Sequence, residues 1–104
     1  MGMRFGPAGV PLSAKTTSTL DGIKKCHELG LGAMEVEFVH GVKMQPQIAL
    51  QARKIANELD VELSVHAPYY INLCSLDKKI VARSIQHIFS SMKIGSLLQA
   101  KQIV

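Results

Sequence analysis

"AMEVEFV", residues 33–39, alternates apolar and polar side chains almost without a break. Successive residues of a strand point to opposite faces. Met34, Val36 and Phe38 therefore share one face, and Ala33, Glu35, Glu37 and Val39 the other. "VELSV", residues 61–65, repeats the pattern, with Leu63 and Val65 opposite Glu62, Ser64 and the following His66. A parallel strand covered on both sides is apolar on both. Strands with one polar face fit a sheet edge, a sheet with one face in water, or a barrel wall. In a barrel the apolar side meets helices and the polar side looks inward.

The segments around these two strands argue for the barrel. "STLD", Ser18–Asp21, resembles a capping box with Asp in the acidic position. The helix it opens is expected to place Leu20, Ile23 and His27 on one side and to stop at Gly30. Pro46 suits the first turn of a second helix carrying Ile48, Ala52, Ile55 and Leu59. Ser75 is expected to cap a third, burying Ile80, Ser84, Ile88 and Met92. A short strand over Met3–Phe5 comes before, ended by "GPAGVP", and "AKQIV", residues 100–104, begins a fourth strand.

This strict alternation predicts an α/β fold of parallel strands joined by right-handed crossovers. It reads as parallel β/α units of a TIM (β/α)8 barrel, incomplete at about three and a half units, because a whole barrel needs roughly 250 residues. An open doubly wound parallel sheet is the alternative. Residues 1–104 are expected to be the N-terminal part of a single barrel domain, cut at an apolar strand.

Composition narrows the setting. With 47% hydrophobic and 19% charged residues the chain is globular rather than disordered. No apolar run reaches the roughly 18–20 residues of a membrane span, and no secretory signal opens the chain. Cys26 and Cys74 have neither metal-type spacing nor the numbers for a disulfide framework, which suits a reducing cytoplasm. A net charge of +4 permits a polyanionic partner without requiring one. Lys24–Lys25 and Lys78–Lys79 read as solvated helix pairs.

One stretch departs from ordinary core: "SVHAPYYINL", residues 64–73. A strand ends on an imidazole, followed by a proline, two tyrosines and an asparagine. Glu37 and His66 fall in the same phase near the C-terminal ends of their strands, where barrel active sites are built. A lone histidine is more often structural, and no second ligand stands nearby in sequence. Tyrosines at a strand end also cover core edges. Cys26, His27, His40 and His87 sit where no special purpose is needed, and "GPAG" is too short for a phosphate loop.

The run histidine-x-x-tyrosine-x-isoleucine-asparagine-leucine in this stretch resembles the third-strand segment of the endonuclease IV family. These are the type 2 apurinic/apyrimidinic endonucleases of the wider xylose-isomerase-like barrel superfamily. The likeness extends through "RFGPAGVPLSAKTTSTLDGI" and "GLGAMEVEFV". It implies a zinc-dependent hydrolase cleaving the DNA phosphodiester 5′ to abasic sites in base-excision repair. On that resemblance His66 is a zinc ligand (Zn2+), Tyr69 and Tyr70 contact DNA with abasic sites, and Asn72 shapes their loop. Imidazole suits zinc, clustered metals serve displacement at phosphorus, and tyrosine rings offer stacking to bases.

The departures from that family point elsewhere. "RFGPAG" replaces a histidine-bearing first strand, the "EVE" pair is additional, "HGVKM" does not match the basic DNA contacts, and Gln99 stands where a glycine turn is expected. An inward Glu35 or Glu37 equally fits a metal-dependent sugar isomerase or epimerase of the same superfamily, with Glu37 catalytic. A third reading is a non-catalytic partial barrel that self-associates through open strand edges. In the family the other zinc ligands lie on later strands, so these 104 residues alone are expected to be inactive. A positive patch formed by Lys15, Lys43 and the tyrosine loop would favour DNA over sugar.

Overall fold

The computed structural model describes residues 2–104. In chain order the elements are α1 (Thr19–Glu28), β1 (Ala33–Glu37), α2 (Pro46–Leu59), β2 (Glu62–His66) and α3 (Lys78–Leu97). β1 and β2 pair in parallel, with Met34 beside Leu63, Val36 beside Val65 and Glu37 beside His66. Flanking segments extend the sheet on both sides. The Glu35 N–H donates to the Pro7 carbonyl (3.0 Å) and the Gly9 N–H to the Glu35 carbonyl (2.9 Å). On the other side the Val65 N–H donates to the Gln102 carbonyl (3.0 Å) and the Val104 N–H to the Val65 carbonyl (2.8 Å).

Order in space therefore follows order in the chain. A doubly wound sheet reverses its strand order at a switch point and carries helices on both faces. Among the described residues there is no reversal, and the helices pack side by side, α1 on α2 and α2 on α3. The open doubly wound alternative is set aside, and the chain is an α/β assembly of parallel β/α units.

Burial follows the strand alternation. Met34, Val36, Phe38, Leu63 and Val65 are buried in one cluster with Ile23, Cys26, Ala49, Ala52, Ala56, Ile94 and Leu98. Glu35, Glu37, Ser64 and His66 stand half-buried on the opposite face. The hydrophobic effect thus fixes the orientation of the polar face, because a one-residue slip would exchange the two faces.

Several expected details shift. The first strand pairs with β1 at Phe5–Gly9 rather than over Met3–Phe5. "GPAG" does not end the pairing but makes it: Pro7 contributes only its carbonyl, so its missing N–H is not needed. At Gly6 a Cβ would lie 1.7 Å from the Ala33 carbonyl oxygen, so only glycine allows this approach. In α1, Cys26 rather than His27 is buried, and His27 is exposed. α2 rests on Ala49, Ala52 and Ala56, with Ile48 exposed. α3 is capped by Asp77, not Ser75, whose hydroxyl instead accepts from the Asp77 N–H. Its buried positions are Ser84, Ser91, Ile94 and Gly95, while Ile80 and Met92 are exposed. Small residues there let the helix approach closely: a Cβ on Gly95 would meet Ile103 at 2.9 Å.

The capping box at α1 is relayed. The Ser18 hydroxyl accepts from the Asp21 N–H, but the Asp21 carboxylate takes a hydrogen bond from Thr16, whose hydroxyl accepts from the Ser18 N–H. Helix ends are uniform. Each helix closes with the paired backbone bonds of a Schellman motif around a left-handed residue: Gly30 (φ +75°), Asp60 (φ +55°) and Gln99 (φ +55°). Each stop turns the chain directly into the next strand.

Gln99 adopts by necessity a conformation that glycine adopts freely. Gln99→Gly is expected to stabilise the fold by about 1 kcal/mol, raising the midpoint of thermal unfolding by roughly 4–8 °C. A lowered midpoint would show that the bond from the Asn57 side chain to Gln99 (3.3 Å) outweighs the backbone strain.

Candidate functional site

The polar face ends at Glu37 and His66, register partners at the C-terminal ends of β1 and β2. Adjacent strands lie about 4.8 Å apart, so the two side chains start as neighbours. The backbone of His66 is held firmly: its carbonyl accepts from the Phe38 N–H (2.8 Å), and the next residue, Ala67, donates to the Val104 carbonyl (2.7 Å). The ring is oriented as well. Nδ1 lies 2.8 Å from the Ala67 carbonyl oxygen. A carbonyl only accepts, so Nδ1 carries a proton, and in the neutral ring Nε2 presents its lone pair.

Glu37 is the unusual partner. Its Oε1 is buried with no hydrogen-bond partner. Burial, then the Glu35 carboxyl two residues back on the same face, push Glu37 up to about 7, and the His66 ring pulls in the opposite direction. Beside Glu37 a cleft of about 580 Å³ opens between the start of α1 and the loop after β1, lined in part by Val10, Thr17, His40, Lys43 and Met44.

After His66 the chain meets the segment that follows β1, with the Tyr69 N–H donating to the Val39 carbonyl (3.4 Å). Tyr69 and Tyr70 are exposed, at 69% and 43% of their surface. Asn72 serves the loop's own shape: its Oδ1 accepts from the Cys74 N–H (3.0 Å), an Asx turn, and its N–H donates to the Ser84 hydroxyl (2.8 Å) on α3. Two histidines without any evident purpose in the sequence join this group. His40 stands edge to face with Tyr69 (centroids 5.8 Å apart), and His87 with Tyr70 (5.0 Å). Only their three-dimensional placement shows it, since neither lies near the tyrosines in the chain. Lys15 is exposed on the loop before α1.

An orphaned buried carboxylate oxygen facing a histidine with a free Nε2 is a donor pair that fits a divalent metal. Among the described residues no three His, Cys, Asp or Glu side chains converge to hold one. The pair fits part of a ligand set.

Residues 23–104 match the model of the family described as xylose isomerase-like TIM barrel. The chain belongs to this family. An uncharacterized protein of Methanocaldococcus jannaschii is 41% identical over 91 residues, covering 86% of this chain and 32% of that protein. Two solved barrels share the fold. A D-psicose 3-epimerase, solved in the presence of D-fructose, superposes with a TM-score of 0.74 at 19% identity, covering 97% of this chain and 36% of that one. Endonuclease IV from Thermus thermophilus superposes with a TM-score of 0.72 at 16% identity, covering 92% and 38%. The chain spans about a third of the length of these relatives. Within the barrel family the half-buried face of β1 and β2 is the inward one. Among the described residues no helix is long and apolar enough to cross a membrane.

The raised Glu37 has a consequence for stability. Its folded-state value lies above the ordinary 4.5, so its stabilising contribution is complete below about 4.5 and is lost as pH rises through about 7. In metal-free protein, Glu37→Gln is expected to be the more stable form above pH 7, with the advantage vanishing near pH 4. Parallel pH-dependent melting curves for the two proteins would contradict the burial of an ionising Glu37.

Proposed function

We propose that residues 1–104 are the N-terminal part of a single endonuclease IV-like barrel domain, and that the whole domain is a zinc-dependent hydrolase cleaving DNA 5′ to abasic sites. The observation that carries this reading is the exposed pair Tyr69–Tyr70, set three and four residues beyond a histidine whose Nε2 is free. A lone structural histidine needs no exposed aromatic pair beside it, whereas DNA contact does.

In this reading His66 Nε2 and Glu37 hold zinc together with residues outside this chain. When bound, the metal supplies Lewis acidity and a nucleophile at neutral pH. The Ala67 carbonyl fixes the His66 tautomer and the ring's direction. Tyr69 and Tyr70 press against the bases around the lesion, and an abasic nucleotide is cheap to unstack. Asn72 holds the loop that presents them. The free thiols of Cys26 and Cys74 suit a reducing cytoplasm.

One observation favours a second reading. A carboxyl that titrates at about 7 both accepts and returns a proton near neutral pH. Glu37 in that role would serve a sugar epimerase of the same family, acting on a ketose.

The test uses the complete polypeptide. His66→Ala is expected to lower bound zinc and to reduce cleavage of an abasic duplex by more than the roughly 100-fold reached by outer-shell changes. Undiminished cleavage would end the metal assignment. Turnover of a ketose that is lost in Glu37→Gln, with no nicking of abasic DNA, would establish the epimerase reading instead.

A further inference from the structure

The two tyrosines are not an isolated pair. His40, Tyr69, Tyr70 and His87 form one continuous series of edge-to-face contacts, with centroids 5.8, 5.4 and 5.0 Å apart. The rings come from three separate places: the loop after β1, the loop after β2, and the middle of α3. Edge-to-face rings at these spacings attract one another and hold each other in place. A backbone anchor fixes the arrangement further: the Ser84 hydroxyl, one turn before His87 on α3, accepts from the Asn72 N–H. Gly41 leaves room for the Tyr70 hydroxyl, which a Cβ there would approach to 3.3 Å.

The segments that supply the rings carry mostly positive charge, with Asp77 at the end of the tyrosine loop as their one carboxylate. From Phe38 to Asn57 the chain holds Lys43, Arg53 and Lys54 and no carboxylate. From Lys78 to Val104 it holds Lys78, Lys79, Arg83, Lys93 and Lys101, again with no carboxylate side chain, and the loop at 67–76 has no charge at all. Arg83 lies four residues before His87, hence on the same side of α3. Lys43 lies three residues beyond His40. Asp60 and Glu62 are paired to Arg4 at the opposite ends of the strands, while Glu37 lines the cleft that His40 and Lys43 share.

A row of rings on segments that carry exposed cations is the chemistry that receives an unpaired nucleic-acid strand: rings for base faces, cations for phosphates. A sugar would use the rings but gain nothing from the cations. We propose that His40 and His87 extend Tyr69–Tyr70 into a four-ring surface that binds several unpaired nucleotides, with Lys43 and Arg83 on the phosphates. This rests on the DNA reading above and adds that contact reaches beyond the lesion itself.

In the complete polypeptide, titration of a fluorescein-labelled oligothymidylate of about ten nucleotides, a length within the range of known single-strand sites, is expected to raise the anisotropy of the label. Added salt is expected to weaken binding. His40→Ala and His87→Ala are each expected to raise the Kd by roughly fivefold or more, the loss of one stacking contact. His40→Phe and His87→Phe, which keep the ring, are expected to restore it. If the alanine variants bind as the parent does while Tyr69→Ala loses binding, the four-ring surface is wrong and the DNA reading survives. If neither the labelled oligothymidylate nor a labelled abasic duplex binds, both fall.

Discussion

The parallel register that sets Glu37 beside His66 is the constraint on which the site depends. It is fixed from two directions. Met34, Val36, Leu63 and Val65 must face the helices, which decides the face. Backbone bonds on both sides of His66, to Phe38 and through Ala67 to Val104, decide the position along the strand. Once face and position are set, a carboxylate and an imidazole must meet at the inward end of the sheet. No side-chain bond between them is needed to bring them there.

The rest of the architecture serves that end of the sheet. Each helix stops at a left-handed residue and returns the chain at once to the next strand, so the strand starts are tightly turned. The longer connections lie at the other end, where residues 38–45 and 67–77 have room to carry His40, Lys43 and the tyrosines. α3 contributes beyond covering the sheet. Its small buried residues let it sit close, and Ser84 and His87, one turn apart, fasten the tyrosine loop. A helix whose inner side holds Ser84, Ser91 and Gly95 beside Ile94 gives up apolar burial in exchange for this closeness.

Much of this was legible in the sequence because it is periodic. The alternation of "AMEVEFV" and "VELSV" gave the strands, their faces and the phase shared by Glu37 and His66. Helix positions came from Pro46, Ser18 and Gly30. What periodicity alone misplaced was the finer packing. Alanine, serine and glycine won the buried positions of α2 and α3 over Ile48, Ile80 and Met92, because helices on a sheet are limited by approach distance as well as by hydrophobicity. "GPAG" read as a breaker, yet Gly6 and Pro7 are compatible with pairing when only a carbonyl and a close contact are required. The tautomer of His66, the raised Glu37 and the joining of His40 and His87 to the tyrosines depend on groups distant in the chain, and no local pattern encodes them. Family membership follows from the match to xylose isomerase-like barrels. An epimerase and an endonuclease superpose about equally well, so substrate class has to come from the site.

We propose that Glu37 and His66 form a metal-binding pair, with His66 offering Nε2. Nitrogen-15 NMR of imidazole-labelled protein during zinc addition tests it directly. The His66 Nε2 resonance is expected to shift on zinc binding while Nδ1 keeps its proton, and the shift is expected to be lost in Glu37→Gln at the same zinc concentration. A zinc-induced shift at Nδ1, or a His66 ring indifferent to zinc in the complete polypeptide, would contradict it.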